Sequence, residues 1–491
     1  MHRASLTPPV IEYPATSFIF APMYTRLSNP EDTIVALATP QGIGAIGVIR
    51  VSGDAAFSIC SSVFRGADLT KQDSHTIHYG HIMDGVAIVD EVMVSVFRAP
   101  RSFTTEDSVE INCHGSSYIQ QQVIALLVRN GARLAEPGEF TLRAYMHGRI
   151  DLSQAEAVGD LIASQNQSQL DIAMKQMRGG LSSDLKVLRE QLLNFVSLIE
   201  LELDFGEEDV EFADRSQLKK NVRDIIGYIR PIIDSFQYGN AIKNGIPVAI
   251  IGRPNAGKSS LLNRLLNDDR AIVSEIAGTT RDTIEEEIHI QGISYRFIDT
   301  AGIRDTEDKI ERIGIEKALK KIEEARIVIY IFDVSSTSME EANRDLDMIR
   351  GKNPGRPILV LANKKDLLDE AGLERFMGQM KELAAQDVLL CSALQQDQDD
   401  IQQVREALMA MSRMETPGSD QTIISNLRHY ESLRQAMDSL GTVWHSLDEQ
   451  FSSDILALEI RRALEALGQI TGEISSDEIL GNIFGKFCIG K

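Results

Sequence analysis

The sequence predicts a multidomain chain, part α/β and part all-α. It has an N-terminal α/β domain, a helical domain split into two stretches, and, inserted between them, a domain with a parallel sheet and crossover helices. Three observations predict this. Strand-like and helix-like runs are mixed from Thr33 to about Gly148. Apolar residues then recur at steps of four and three, at Leu181, Leu185, Leu188, Leu192, Phe195 and Ile199, which is a helical stripe. From Ile246, short apolar runs (PVAIIG, YRFIDT, RIVIYIFD, PILVLANK, DVLLCSA) alternate with amphipathic stretches, and helix-rich sequence resumes after the linker-like METPGSD.

Composition fits several globular domains. At 491 residues the chain exceeds one ordinary hydrophobic core, and 43% hydrophobic with 25% charged residues is the balance of a folded protein. A formal net charge of -22 repels nucleic acid on average, so any RNA contact needs a local basic patch or a basic partner. Cys60, Cys113, Cys391 and Cys488 lie far apart without C-x-x-C spacing, which disfavours a disulfide framework and a structural zinc site. A reducing compartment, the cytoplasm, is the expectation. No apolar run approaches the roughly 20 residues that cross a bilayer, so no membrane contact is expected.

Taken in order, residues 1–31 carry Arg3, Arg26 and few acids; they read as a tag, a disordered extension or a transit peptide, and are left unassigned. Residues 32–149 form the N-terminal domain. There TIVALAT, a PQGIG turn and AIGVIRVSG read as two strands joined by a loop. GIGAIG, Gly42 to Gly47, satisfies G-x-G-x-x-G, but strand-like IGVIRV follows where a dinucleotide site needs a helix. Cys113, His114, His75, His78 and His81 offer no spaced ligand pair and read as strand and loop residues. Residues 150–244 are the first helical part, interrupted by FGEEDVEF, a solvated loop by default. Each helical stretch needs a partner for its apolar stripe, so 150–244 and 414–491 are read as one domain around an insert at 245–413.

The insert carries the chemistry. GRPNAGKSS, from Gly252 to Ser260, contains G-x-x-x-x-G-K-[ST] directly after the strand-like PVAIIG. Its glycines, Gly252 and Gly257, let backbone N–H groups turn toward phosphate, Lys258 supplies a point charge, and Ser259 can offer a hydroxyl to magnesium. Asn255, Ala256 and Ser260 complete the candidate contacts of this loop. Thr279 and Thr280 in AGTTRD, then Asp299, Thr300, Ala301 and Gly302 in DTAG, then NKKD from Asn363 through Lys364 to Asp366, follow in order. Asp299 can reach magnesium through water, and the Gly302 N–H can meet the terminal phosphate.

Asp366 decides the base. Its carboxylate can accept the ring N–H and the exocyclic amine of guanine, a donor pair that adenine lacks, so GTP is favoured over ATP. Leaving such a carboxylate unpaired costs ~1–3 kcal/mol or more. Ser392 and Ala393 would close over the base, and the site ends at Leu394. After DTAG stands Ile303, where many small GTPases have a water-orienting glutamine, so hydrolysis must be arranged differently. Asn255 either shapes the loop or, with oxygens of the AGTTRD loop, holds a monovalent cation beside the phosphates. At the C-terminus, FCIGK puts Cys488 in an apolar group that calls for a function or a docking site. Glycine and lysine after it do not make a prenylation signal.

GRPNAGKSSLLNRL, AGTTRD, DTAGIRD, ERIGIEKA and FCIGK, with ATPQGIGAIGVIRVSG, PGEFTLRA and DLSQAEAVGDLI, together resemble the MnmE (TrmE) family, from about Thr33 to Lys491. The resemblance implies a potassium-activated GTPase that works as a homodimer with an MnmG-like FAD protein in a hetero-oligomer. That complex modifies the 5-position of the tRNA wobble uridine, drawing a one-carbon unit from 5,10-methylenetetrahydrofolate, of which 5-formyltetrahydrofolate is an analogue. It also implies that the N-terminal α/β domain binds folate and dimerises, and that the insert is a P-loop GTPase domain whose dimerisation is driven by GTP hydrolysis.

Residue by residue, the resemblance gives Asn255, Ser274, Ile276 and Thr279 to K+ and Ser259 and Thr280 to Mg2+. The GTP-contacting loop also includes Glu275, Ala277 and Gly278. Glu311, preceding RIGIEKA, matches the catalytic glutamate that orients the attacking water through a second water. Arg50, Glu110 and Lys491 fall at folate positions, as does Arg149, where some relatives have lysine. Cys488 matches the functional cysteine of the family.

Overall fold

The computed structural model describes residues 32–204, 214–270, 286–290, 292–298, 322–352, 354–380, 383, 388–394, 398–412, 422–449, 452–487 and 489–490. The chain divides into two compact units, one of residues up to Gly159 with Thr471–Lys491, the other Asp160–Ile470.

The first unit is built on β1 (Ile34–Leu37), β2 (Ile46–Ser52), α1 (Ala56–Val63), β3 (Phe64–Arg65), β4 (Thr76–Asp84), β5 (Ala87–Phe97), β6 (Ser108–His114), α2 (Ser117–Arg129), β7 (Arg133–Leu134) and α3 (Glu139–Met146). The helix α4 (Leu152–Ala163) follows α3 in the chain. The sheet of this unit has the order β3-β4-β5-β6-β2-β1-β7, with β1 and β7 parallel and the other neighbours antiparallel. Alternation decides the faces. Ile49, Val51, Val109, Ile111, Val92, Val94 and Val96 point into a core closed by Phe57 and Cys60 of α1 and Val123 and Leu127 of α2. Residues of the opposite parity, with Arg50 directly across from Glu110 and Ser52 across from Ser108, share the other face. The GIGAIG run leads into strand β2, as the strand-like text after it requires.

The C-terminal tail belongs to this unit. Of the stretch 414–491, the residues from Thr471 onward group with the first unit. The helix Asp477–Phe484 buries Leu480 and Phe484 against Leu142, Ile150, Leu152 and Ala155, and Phe487 packs beside them. A Cβ at Gly138 would fall 2.6 Å from the Phe484 carbonyl oxygen, so the tail is seated where only glycine permits. Apolar burial draws the tail here, and a helical pattern in sequence does not say against which partner.

The second unit holds a helical part and a sheet. The elements are α5 (Gln167–Met177), α6 (Gly180–Asp204), α7 (Arg215–Asn244), β8 (Ile246–Ile251), α8 (Lys258–Arg270), β9 (Glu286–Ile290), β10 (Ile293–Phe297), β11 (Ile327–Asp333), α9 (Met339–Lys352), β12 (Ile358–Asn363), α10 (Glu370–Gln379), β13 (Val388–Cys391), α11 (Gln398–Ser412), α12 (Leu427–Asp448) and α13 (Ser453–Thr471). Leu185, Leu192 and Ile199 of α6 meet Val222 and Ile229 of α7, Leu433 and Leu440 of α12, and Ile460 and Leu467 of α13 in one core. Helices from before and after the sheet thus complete each other, and each such leucine or isoleucine contributes ~1.5–3 kcal/mol by leaving water. Of the helical stripe, Leu188 and Phe195 are only partly buried and pack against its edge.

The sheet runs β13-β12-β11-β8-β10-β9, parallel throughout except for β9 against β10. Helices cover both faces, which is why its strands read as continuous apolar runs. Leu261 and Leu265 of α8 with Ile401, Val404 and Leu408 of α11 pack on one face, and Ala342, Leu346 and Ile349 of α9 with Phe376 of α10 on the other. The segments after β8, β12 and β13 therefore sit at the carboxyl edge, where open α/β sheets bind ligands.

Candidate functional site

The phosphate loop joins β8 to α8, and its geometry explains its composition. A Cβ on Gly252 would lie 2.1 Å from the Ile331 backbone oxygen, and one on Gly257 would lie 2.1 Å from Asn363 Nδ2. Gly257 also has φ +104. Asn255 takes φ 61, a left-handed conformation that asparagine tolerates better than most residues. Lys258 curves back over the loop and donates to the carbonyls of Gly252 and Arg253, both at 2.8 Å. Lys258, Ser259 and Ser260 form the first turn of α8, whose N-terminal N–H groups and dipole favour an anion. Arg253 anchors the outside of the loop through Glu341 at 2.7 Å and Asp345 at 3.2 Å. The Arg253 guanidinium and the Ser338 N–H hold the Glu341 carboxyl down at about 2.

The base side is assembled from three segments. Asn363, 1% exposed, donates through Nδ2 to the Ala256 carbonyl at 2.7 Å and accepts the Ala393 N–H through Oδ1 at 2.9 Å. Ser392 donates its hydroxyl to Asp366 Oδ1 at 2.5 Å. Asn363 is thus a structural tie, and Asp366 is aimed by Ser392. Lys364, at φ 69, donates to Asp333 Oδ2 at 2.6 Å. Burial alone would raise the Asp333 carboxyl, but hydrogen bonds from Lys364 and Ser335 outweigh it and hold the group below the usual carboxylate range. Leu394 is exposed at the rim. Burial, with Asp400 nearby, pushes the Cys391 thiol up to about 12, which makes it an inert packing residue.

In the first unit Arg50 and Glu110 form a half-buried pair, Nε to Oε1 at 2.9 Å and Nη2 to Oε1 at 2.8 Å. The Arg50 guanidinium lies 5.7 Å from the centroids of both the Phe103 and Phe140 rings. Phe103 rides on a loop fastened by Ser52 to Thr104 at 2.6 Å, by Ser52 to Glu106 at 2.7 Å, and by Arg143 to Glu106 at 2.9 Å. Arg149 is exposed beyond the end of α3. The histidines pair locally: His114 Nδ1 with Asp90 at 2.7 Å, His78 Nε2 with Thr76 at 2.8 Å, and His75 Nδ1 with Ser74 at 2.8 Å. Burial, reinforced by Asp90, pushes the Cys113 thiol up to about 11.

Among the sequence-predicted residues, Asn255 to Ser260, Asn363, Lys364, Asp366 and Ser392 to Leu394 converge on one edge, and Arg50 meets Glu110. Ser274 to Thr280, Asp299 to Gly302, Glu311, Cys488 and Lys491 lie outside the described residues. Phe103, Phe140, Asp333, Arg264 and Asp400 were missed. Their spacing carries no motif, although in the sequence Asp333 closes the apolar run RIVIYIFD as Asp299 follows the apolar YRFI, a signal that could have flagged it.

Two family descriptions match the chain, "GTP-binding protein TrmE N-terminus" over residues 33–149 and "MnmE helical domain" over residues 152–488. The tRNA modification GTPase MnmE of Flavobacterium johnsoniae is 54% identical over 466 residues, covering 94% of this chain and 99% of the relative. Its counterpart in Bacteroides thetaiotaomicron is 49% identical over 467 residues, covering 94% of this chain and 100% of the relative. Among solved structures, Era of Aquifex aeolicus bound to GDP and AlF4- is 24% identical, covers 39% of this chain and 66% of that chain, and has a TM-score of 0.26. With about half its residues identical to these relatives over nearly its whole length, the chain belongs to the MnmE family of tRNA modification GTPases.

Proposed function

We propose that this GTP hydrolase of tRNA modification is potassium-activated and acts as a homodimer with an MnmG-like FAD protein on the 5-position of the tRNA wobble uridine. The modification is of the carboxymethylaminomethyl or aminomethyl type and takes its carbon from 5,10-methylenetetrahydrofolate. The observation that carries the reading is the tie from Asn363 to Ala256 and Ala393, which brings the phosphate loop and the base loop into one guanine-nucleotide site.

In this reading Lys258, with the N–H groups of Ala256 to Ser260, holds the phosphates, and Asp366 with Ala393 selects guanine. Ser259 and Thr280 serve Mg2+, which when bound neutralises phosphate charge. Asn255, with Ser274, Ile276 and Thr279, holds K+, whose charge takes the place of an arginine finger. The close approaches at Gly252 and Gly257 press the loop backbone against Ile331 and Asn363, which fixes the course of the loop. Glu275, Ala277, Gly278, Asp299, Thr300, Ala301, Gly302 and Leu394 complete the nucleotide contacts, and Glu311 orients the attacking water.

Arg50, Glu110, Arg149 and Lys491 bind the folate. Glu110 presents a carboxylate to pterin N–H donors, and the partly buried Phe103 ring beside the Arg50 guanidinium suits a flat ring system. Cys488 acts in the modification itself. The domains run 32–149, 150–244, 245–413 and 414 to the tail, with GTP hydrolysis cycling paired GTPase domains. A basic partner helps hold tRNA, because the chain carries a net charge of -22. A cytoplasmic setting is supported by free, buried Cys60, Cys113 and Cys391, and no described helix is long and apolar enough to cross a membrane.

Glu311→Ala tests the assignment. GTP affinity should stay near that of the parent while turnover falls by at least about a hundredfold. Normal turnover would remove Glu311 from the mechanism.

A further inference from the structure

Ser392 is held through its backbone as well as its side chain. Its N–H donates to Asp400 Oδ2 at 2.9 Å, its carbonyl accepts from Arg264 Nη1 at 3.0 Å, and its hydroxyl reaches Asp366 Oδ1 at 2.5 Å. The other oxygen of Asp400 accepts from Lys365 Nζ at 2.6 Å. Asp400 is 3% exposed, so its charge is buried and depends on those partners. It stands in the first turn of α11, where the helix dipole favours a carboxylate. One buried carboxylate thereby joins NKKD, through Lys365, to the loop after β13, through Ser392.

The consequence falls on Asp366. A carboxylate free to rotate presents its lone pairs in many directions, and ordering it on binding weakens the complex. Pinning Oδ1 with the Ser392 hydroxyl leaves the remaining lone pairs facing one way, for the paired N–H donors of one base. We propose that Asp400 is a positioning residue for guanine selection: it holds the Ser392 backbone so that the Ser392 hydroxyl stays on Asp366 and fixes the direction of the carboxylate that reads the base. The proposal rests on Asp366 as the guanine acceptor.

The test uses the full-length protein and calorimetric affinities for GDP, IDP and XDP. IDP lacks the exocyclic amine, so the GDP-to-IDP affinity ratio reads how well Asp366 is aimed. Asp400→Ala should weaken GDP by about tenfold while weakening IDP much less, so that the ratio shrinks, with kcat at saturating GTP within about twofold of the parent. Asp400→Asn keeps an acceptor for the Ser392 N–H and should give an intermediate ratio; it carries the test if the alanine variant does not fold. An unchanged ratio, or equal loss of GDP and IDP in the variants that fold, would overturn the proposal by reducing Asp400 to general packing. Asp366→Asn separates the two layers, because it should shift preference from GDP toward XDP. If it does not, the reading of Asp366 fails and the proposal with it. If it does while the Asp400 variants keep the parent ratio, the Asp400 proposal alone fails.

Discussion

The side-chain amide of Asn363 donates to the Ala256 carbonyl at 2.7 Å, so the end of β12 is fastened directly to the phosphate loop. Asn363→Ala removes that donor and also the acceptor of the Ala393 N–H. Buried groups left unpaired cost ~1–3 kcal/mol each, so urea unfolding should show destabilisation in that range. GDP affinity should fall by at least about tenfold, since the two loops lose their common strut. Unchanged affinity would make Asn363 a bystander.

Glycines in the same unit separate close approach from open space. Gly252→Ala drives a Cβ to 2.1 Å from the Ile331 backbone oxygen, which cannot move without shifting β11. Nucleotide binding should be lost in an equilibrium titration, with ~1–3 kcal/mol or more of destabilisation. Gly227→Ala, in α7 with nothing within 4 Å, should instead stabilise by ~0.5–1 kcal/mol. Loss of stability at Gly227 would contradict the packing described for that helix.

The convergence of the phosphate-loop motif with Asn363, Asp366 and Ser392 was legible because the motifs fix residue types at set spacings: glycine where Ile331 and Asn363 press in, lysine at Lys258, a carboxylate at Asp366. The split helical core was legible because Leu185, Leu192 and Ile199 repeat with the period of a helix. The tail was not. Phe484 is buried against Leu142 and Leu152, residues more than three hundred positions away, and no local pattern names such a partner. Asp400 escaped for the same reason: an acid in the first turn of an amphipathic helix reads as solvated until Lys365 and Ser392 arrive from other loops.

The Arg50–Glu110 pair predicts a separable folate function. Glu110→Ala leaves a half-buried guanidinium without its carboxylate and removes the acceptor proposed for pterin N–H donors. Calorimetry with 5-formyltetrahydrofolate should show binding weakened by at least about a hundredfold, with GTP turnover near the parent's. Parent-like folate affinity would remove Glu110 from that site.

Acid should unfold the first unit through Glu139. The group is fully buried; burial alone would raise its pKa, but the Arg133 hydrogen bond, the Glu136 N–H and the charges of Arg143 and Arg133 hold it below the ordinary value near 4.5. A folded pKa below the unfolded one means that the stabilisation is complete above about 4.5 and fades as pH falls through the folded value. Glu139→Gln should therefore lower stability at neutral pH, by about 3 kcal/mol, and flatten the acid limb of the melting curve. An acid limb as steep as the parent's would assign the pH dependence elsewhere.

The most direct measurement of the account is steady-state GTP turnover in potassium against sodium, at equal ionic strength and saturating magnesium. Turnover in potassium should exceed that in sodium by more than about tenfold, and Asn255→Ala should abolish the difference while GDP still binds. Equal turnover in the two salts would contradict a cation held by Asn255 as the replacement for the missing glutamine.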